Sequence, residues 1–309
     1  MVHQKILIIG SGAMACLFAA RLSAAGEKVV LFGHWKEGIH AIQKDGVTLK
    51  MPDRDPQTYP VEATDQPSQI GSIKHVIVLV KSWQTDRAGQ QIKRILSEDG
   101  IALTLQNGMG NREVLAHRLG AERVGLGIAT LGVYLTAPGH VQSGGEGKIY
   151  LSINNRLTYL KETLQFAGFA VEDAPDPDSY LWGKLVINSA INPLTALLRI
   201  KNGDLLERPT ARTLMINLAR ETAAVAYSLH IPLPFDSPIS GVEGVVQQTA
   251  ENYSSMLQDV RRGAPTEIDA ICGAITQAGE QADVPTPLNE MMWQLIKALI
   301  PPSTQQPTS

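Results

Sequence analysis

Short apolar runs alternate with helical stretches through the first half of the chain. Lys5-Ile-Leu-Ile-Ile9 is an apolar run ending at Gly10 and reads as a buried strand. Gly10-Ser-Gly12-Ala-Met-Ala15 follows at once, and Cys16–Ala25 reads as a helix stopped by Gly26. Glu27–Phe32 is the next strand. His75–Lys81 and Gly100–Gln106 are nearly continuous apolar runs, as central parallel strands covered on both faces should be. Val124–Ile128 and Gly147–Ile153 extend the series, and a helix over 156–167 and a strand over 169–172 close it. From Asp176 the strands stop, and helices are predicted over 178–198, 209–229, 240–262, 266–282 and 287–299. The proline-rich polar stretch Asp173–Asp178 reads as a linker. The pattern therefore predicts an α/β domain over 1–174, an all-helical domain over 175–300 and a flexible tail over 301–309.

One helix breaks the apolar pattern in an informative way. In Tyr180–Thr195 the residues Lys184, Asn188 and Asn192 fall four apart and share a face, while Leu185, Val186, Ile187 and Ile191 fill the others. Aligned polar groups on an apolar helix need hydrogen-bond partners, and a small polar substrate supplies them. Pro193 lacks the amide hydrogen and crowds the preceding turn, so a kink or break is expected beside Asn192. A second polar set lies in Glu251–Arg262, read as one helix that puts Asn252 and Ser255 on one face with Asp259 a turn further on. Thr266 reads as the N-cap of the next helix, with Asp269 in the capping-box position. Glu267 then falls in the first turn, where an acid is accounted for by the helix dipole alone.

The strand–glycine turn–helix–strand context of Gly10–Ala15 is the one a dinucleotide fingerprint requires. Gly10 allows the tight turn, and Gly12 lets a pyrophosphate approach the backbone of Ser11, Ala13 and Met14 at the helix N-terminus. An acid at the end of the second strand would mark NAD. That position reads Leu31-Phe-Gly-His-Trp-Lys36, so His34 and Lys36 are candidates for the extra phosphate of NADP, or else ordinary surface residues. Lys81, Gln106 and Asn107 follow strand ends, where ligands of open α/β sheets bind. A surface lysine and a turn asparagine are the plain alternatives for Lys81 and Asn107.

Composition narrows the class. With 309 residues, 44% hydrophobic, the chain can build a substantial core, and its net charge of −3 gives no reason to expect nucleic acid or an acidic membrane as partner. No apolar run reaches the length of a membrane span, and the N-terminus enters a strand without a signal peptide. Two distant cysteines, Cys16 and Cys272, predict free thiols in a cytoplasmic protein. The histidines are scattered, so no metal is expected. The long apolar C-terminal helices offer a surface for a homodimer.

Taken together, these motifs resemble the ketopantoate reductase (2-dehydropantoate 2-reductase) family over nearly the whole chain. The resemblance rests on Gly10–Ala15, Val80-Lys81-Ser-Trp-Gln-Thr85, Leu105-Gln-Asn107-Gly-Met-Gly110, Lys184–Ala196, and Glu251–Asp259 with Thr266–Asp269. It implies a Rossmann-type NADP-binding domain followed by a helical domain like the C-terminal domain of 6-phosphogluconate dehydrogenase. It also implies NADPH-dependent reduction of ketopantoate to pantoate, a step toward pantothenate and coenzyme A. By the resemblance, Lys184 is the general acid and Glu267 organises substrate and lysine. Asn188, Asn192, Asn252 and Ser255 contact substrate, Asn107 sits at the cofactor–substrate junction, and Lys81 at the cofactor site. The chain departs from the family at His34, where members often carry an arginine for the 2′-phosphate. A paralogue reducing another branched 2-oxo acid, and a non-catalytic NADPH sensor, are the competing readings. On any reductase reading, partial desolvation of Lys184 should lower its pKa and ease proton donation.

Overall fold

Ile6–Ile9 are all but completely buried and alternate between two cores, Ile6 and Ile8 facing one and Leu7 and Ile9 the other. A strand buried on both faces must sit inside a sheet with helices on each side, and this is what the computed structural model shows. It describes residues 4–300. These fall into two units. One runs to Gln106 and resumes over Asn111–Pro177; the other joins Asn107–Gly110 to the chain from Asp178 onward.

The first unit contains β1 (Ile6–Ile9), α1 (Ala13–Ala24), β2 (Val29–Phe32), α2 (Lys36–Asp45), β3 (Val47–Lys50), β4 (Gln57–Tyr59), β5 (Glu62–Thr64) and β6 (Ile73–Val78). It continues through α3 (Thr85–Lys93), β7 (Leu96–Thr104), α4 (Asn111–Leu119), β8 (Val124–Ala129), β9 (Val133–Ala137), β10 (His140–Ser143), β11 (Lys148–Ser152), α5 (Thr158–Phe166) and β12 (Ala170–Ala174). Eight of the strands form one sheet in the order β12-β11-β8-β7-β6-β1-β2-β5. Its pairs are parallel except β8 with β11. The chain leaves β1 for β2 on one side and later returns to β6 on the other, so the strand order reverses between β1 and β6. The carboxyl ends at such a reversal form the ligand crevice of open α/β sheets. A second sheet, β4-β3-β10-β9, has no counterpart in the sequence reading. Its strands are three to five residues long and partly exposed, and β3 pairs with β10, more than eighty residues away, so no local periodicity announces it.

The helical unit contains α6 (Pro177–Leu198), α7 (Asp204–Glu207), α8 (Pro209–Ser228), α9 (Pro238–Gln248), α10 (Ser255–Arg261), α11 (Ala274–Gln281) and α12 (Pro287–Leu299) around one core. Three expectations are corrected here. First, of the kink or break expected at Pro193, the break does not occur, and α6 runs through it. Leu185, Val186, Ala190, Ile191, Leu194 and Ala196 are all buried in the same core, and that packing outweighs the roughly 3 kcal/mol cost of an internal proline. Second, the single helix over 240–262 is two helices. The turn between them is held by bonds from another segment: Asn202 N donates to the Asn252 carbonyl at 3.0 Å and Gly203 N to the Ala250 carbonyl at 3.0 Å. Ser254 then caps α10 by accepting from Leu257 N at 3.2 Å. Third, the helix over 266–282 begins instead with a π-helical turn, Asp269–Gly273. Thr266 is not a cap: its hydroxyl is buried without a hydrogen-bond partner. Asp269 binds Trp293 Nε1 at 2.7 Å and Lys297 Nζ at 3.1 Å rather than closing a capping box. The predicted tail over 301–309 lies outside the described residues. Among the described residues no helix is long and apolar enough to cross a membrane.

Candidate active site

The helical unit gathers most of the polar residues singled out in the sequence. Lys184, Asn188 and Asn192 lie along α6, four residues apart. Asn192 is 8% exposed, yet neither its carboxamide nor that of Asn188 hydrogen-bonds within the protein among the described residues. Neither is among the fully buried unpaired groups, so both carboxamides keep solvent contact and leave their hydrogen-bonding capacity unused by the protein. Glu267 is buried. Its Oε2 accepts from Asn107 Nδ2 at 3.2 Å. A simple dipole role on a helix's first turn does not describe this residue, because it precedes a π-helical turn and faces a specific donor. Such turns recur at functional sites.

Asn107 reaches Glu267 because its short segment docks on that turn. Met109 N donates to the Ala270 carbonyl at 2.8 Å. Gly108 has φ +82°, and a Cβ there would stand 2.6 Å from Ala270. Only glycine allows both the conformation and the approach.

Lys184 is half-buried as a residue, and burial of its amine governs its charge. Burial pushes its pKa down to about 8, and the Glu267 carboxylate partly opposes this by favouring the ammonium. The expected desolvation is therefore present, and it leaves the ammonium mostly protonated at neutral pH but ready to part with its proton.

Asn252 and Ser255 do not share a helical face. Asn252 lies in the turn and Ser255 is the exposed first residue of α10. Two neighbours went unread in the sequence. Asn202 donates to Thr249 Oγ1 at 2.9 Å while its own Oδ1 is buried without a partner. Ser254 meets Thr195 Oγ1 at 2.7 Å and so ties α10 to α6. Asn202-Gly203 is a turn signal, which marked the position without revealing its burial.

The glycine turn belongs to the first unit. Gly10 has φ +132°, and a Cβ there would stand 2.9 Å from the Leu79 carbonyl, so the turn after β1 presses against the chain leaving β6. Gly12 is the N-cap of α1, with no side chain capping the helix and nothing within 4 Å of the place a Cβ would take. An uncapped helix N-terminus fronted by open space fits a pyrophosphate. Ser11 and Ala15 are buried, whereas Gly12, Ala13 and Met14 keep access to solvent. Lys81 sits at the start of the loop after β6, and Lys36 opens α2. Gln106 is corrected: its amide donates to the Val80 carbonyl at 3.0 Å and to Thr85 Oγ1 at 2.8 Å, so it binds the protein rather than a ligand.

The family profile described as "Ketopantoate reductase PanE/ApbA" matches residues 6–156, and "Ketopantoate reductase PanE/ApbA C terminal" matches 176–300. A 2-dehydropantoate 2-reductase of Pyrococcus horikoshii is 34% identical, covering 96% of this chain and 97% of its own. One from Vibrio cholerae is 30% identical, covering 96% and 98%. Among solved structures, a 2-dehydropantoate 2-reductase from Geobacter metallireducens superposes with TM-score 0.89 at 29% identity, covering 95% of this chain and 99% of its own. D-mandelate dehydrogenase in a ternary structure with NADH and anilino(oxo)acetate has TM-score 0.89 at 25% identity, covering 96% and 98%. With both halves matched in order and the resemblance holding from end to end, this chain belongs to the ketopantoate reductase family of oxidoreductases.

Proposed function

We propose that this chain catalyses reduction of 2-dehydropantoate by NADPH and a proton to give pantoate and NADP. The observation that carries the reading is Lys184, with its pKa at about 8 under the influence of Glu267, on the same helix face as two carboxamides that have no protein partner. When bound, NADPH supplies the hydride to the ketone carbon. As negative charge grows on the ketone oxygen, the Lys184 ammonium stabilises it and donates the proton. Glu267 holds the lysine in its charged form beforehand and is itself oriented by Asn107. Asn188, Asn192, Asn252 and Ser255, joined by Asn202, are assigned to the substrate's carboxylate and hydroxyl. A site built to pair a hydroxyl rejects analogues that lack one. Gly10, Ser11, Gly12, Ala13 and Met14 are assigned to the cofactor pyrophosphate, His34 and Lys36 to its adenosine end, and Lys81 and Asn107 to further cofactor contacts. We assign the protein to the cytoplasm. Cys16 and Cys272 are free and buried, and burial raises both thiols, Cys16 to about 12, which leaves them unreactive.

The test is NADPH oxidation by purified protein with 2-dehydropantoate, beside NADH and beside 2-oxoisovalerate, which lacks the hydroxymethyl group. Fast turnover with NADPH and 2-dehydropantoate alone supports the reading. Preference for a different 2-oxo acid would favour a paralogue, a reading lent weight by the likeness to D-mandelate dehydrogenase. NADPH binding without turnover of any 2-oxo acid would point to a sensor.

A pair of glycine variants separates cofactor contact from fold. Gly12→Ala meets no protein atom, so its melting temperature should stay within a degree or two, roughly, while NADPH binding weakens about tenfold or more, as an intruding methyl displaces the phosphate. Gly10→Ala should instead lose about 1–3 kcal/mol of stability through its positive φ and the Leu79 contact. Melting curves with NADPH titrations check both, and equal loss of stability in the two variants would remove the phosphate assignment from Gly12.

A further inference from the structure

The end of β2 has no carboxylate for a ribose hydroxyl, so discrimination for NADPH needs a cation that can meet the 2′-phosphate. His34 is poorly suited to supply that charge alone. It is packed edge-on against Phe32, with ring centroids 5.2 Å apart, and its Nε2 lies 3.0 Å from Gln91 Nε2 in a side-chain hydrogen bond. Burial, before any other influence, disfavours its charged form.

The Gln91 contact brings α3 beside His34. Arg87 lies four residues before Gln91 on the same helix, hence on the same face one turn away. Arg87 is exposed, and it makes no ion pair among the described residues. The carboxylate next to it in sequence, Asp86, is already committed: Arg118 donates to it from Nε at 2.6 Å and from Nη2 at 2.9 Å, and Gln90 adds a bond at 2.8 Å. The Arg87 guanidinium therefore stands uncompensated beside the end of β2.

We propose that Arg87, carried on α3 beside the His34–Gln91 pair, is the residue of this chain that grips the 2′-phosphate of NADPH and so sets its preference over NADH. The proposal deepens the reading above and rests on it. A guanidinium offers a planar fork of donors to phosphate oxygens, which a neutral imidazole does not. His34 becomes a neighbour that shapes the pocket, and Lys36, at the start of α2, adds a more mobile charge. The electrostatics agree with the geometry. Burial and then Arg87 hold His34 below its ordinary pKa, against weaker opposing influences from Gln91 and Asp65. Asp65 acts on His34 in the opposite sense, and its influence is smaller than that of Arg87. Of the two charges that act on His34, the cation acts more strongly.

The experiment is equilibrium binding, by titration calorimetry, to wild type, Arg87→Gln and His34→Ala. The ligands are NADPH, NADH and the fragments adenosine 2′,5′-bisphosphate and 5′-AMP. Arg87→Gln should weaken NADPH and the bisphosphate by at least about tenfold, while NADH and 5′-AMP stay within about twofold. The loss should shrink as salt rises, because the contact is ionic. His34→Ala should cost less than Arg87→Gln. Arg87 is exposed, so the variant should fold normally, and a melting curve confirms it. Unchanged NADPH affinity in Arg87→Gln, or equal losses for NADPH and NADH, would overturn the proposal. Wild type that binds NADPH no better than NADH overturns the proposal and the cofactor assignment together. Selective wild type with equally selective Arg87→Gln overturns the proposal alone.

Discussion

Replacing Lys184 with alanine is expected to lower kcat by about 10²–10⁴-fold, the usual worth of a positioned proton donor, with the affinity for NADPH nearly unchanged. The lysine belongs to the helical unit, and the glycine turn assigned to the cofactor belongs to the other. A loss confined to cofactor binding would remove Lys184 from the chemistry. The pH profile is the sharper measure. With its pKa at about 8, the ammonium is present below that value and lost above it. Reduction measured as kcat/KM should therefore be sustained on the acid side and fall as pH rises through about 8, and the Lys184→Ala variant should lack that limb. The same depression has a consequence for folding. A lysine whose pKa falls on folding destabilises the native state wherever it is charged in both states. The penalty is complete below about 8 and disappears above its ordinary value near 10.5. Lys184→Met, apolar and of similar length, should therefore melt no lower than wild type at neutral pH while being inactive. A much lower melting temperature would mean that the ammonium serves the fold.

The stripe that carries this prediction was legible from sequence because helix geometry alone places Lys184, Asn188 and Asn192 together, and the helix has the predicted extent. The glycine turn was legible for a similar reason: strand, turn and helix are contiguous, so local spacing encodes the geometry. What was lost is what distant segments impose. The amphipathic pattern over 240–262 is continuous, but Asn202 and Gly203 bind the carbonyls of Asn252 and Ala250 and break it. The Asn252–Ser255 face inferred from a three-residue spacing therefore does not exist. Arg87 was invisible for the same reason. Nothing in its own helix marks it, and only the Gln91–His34 contact, spanning 57 positions, brings it to the end of β2. The second sheet, built from strands too short for periodicity, belongs to this class as well.

Glu267 illustrates both sides, and its substitution is the second large effect expected. The sequence placed it on a helix's first turn, where a dipole suffices to explain it. The structure buries it, sets it before a π-helical turn and pairs it with Asn107. Glu267→Gln keeps an oxygen that can accept from Asn107 Nδ2 but removes the charge that holds the Lys184 pKa up against burial. The alkaline limb of kcat/KM should move to lower pH, and kcat at neutral pH should fall by about 10–10²-fold. Glu267→Ala removes the acceptor as well, leaves the Asn107 amide without this partner, and should cost more than the glutamine variant. The comparison separates two roles. If glutamine shifts the limb and alanine adds a further loss in kcat, the carboxylate acts through its charge on Lys184 and through its hold on Asn107. If glutamine lowers kcat and leaves the limb where it was, Glu267 works by position alone. Wild-type rates and an unmoved limb in both variants would remove Glu267 from the site.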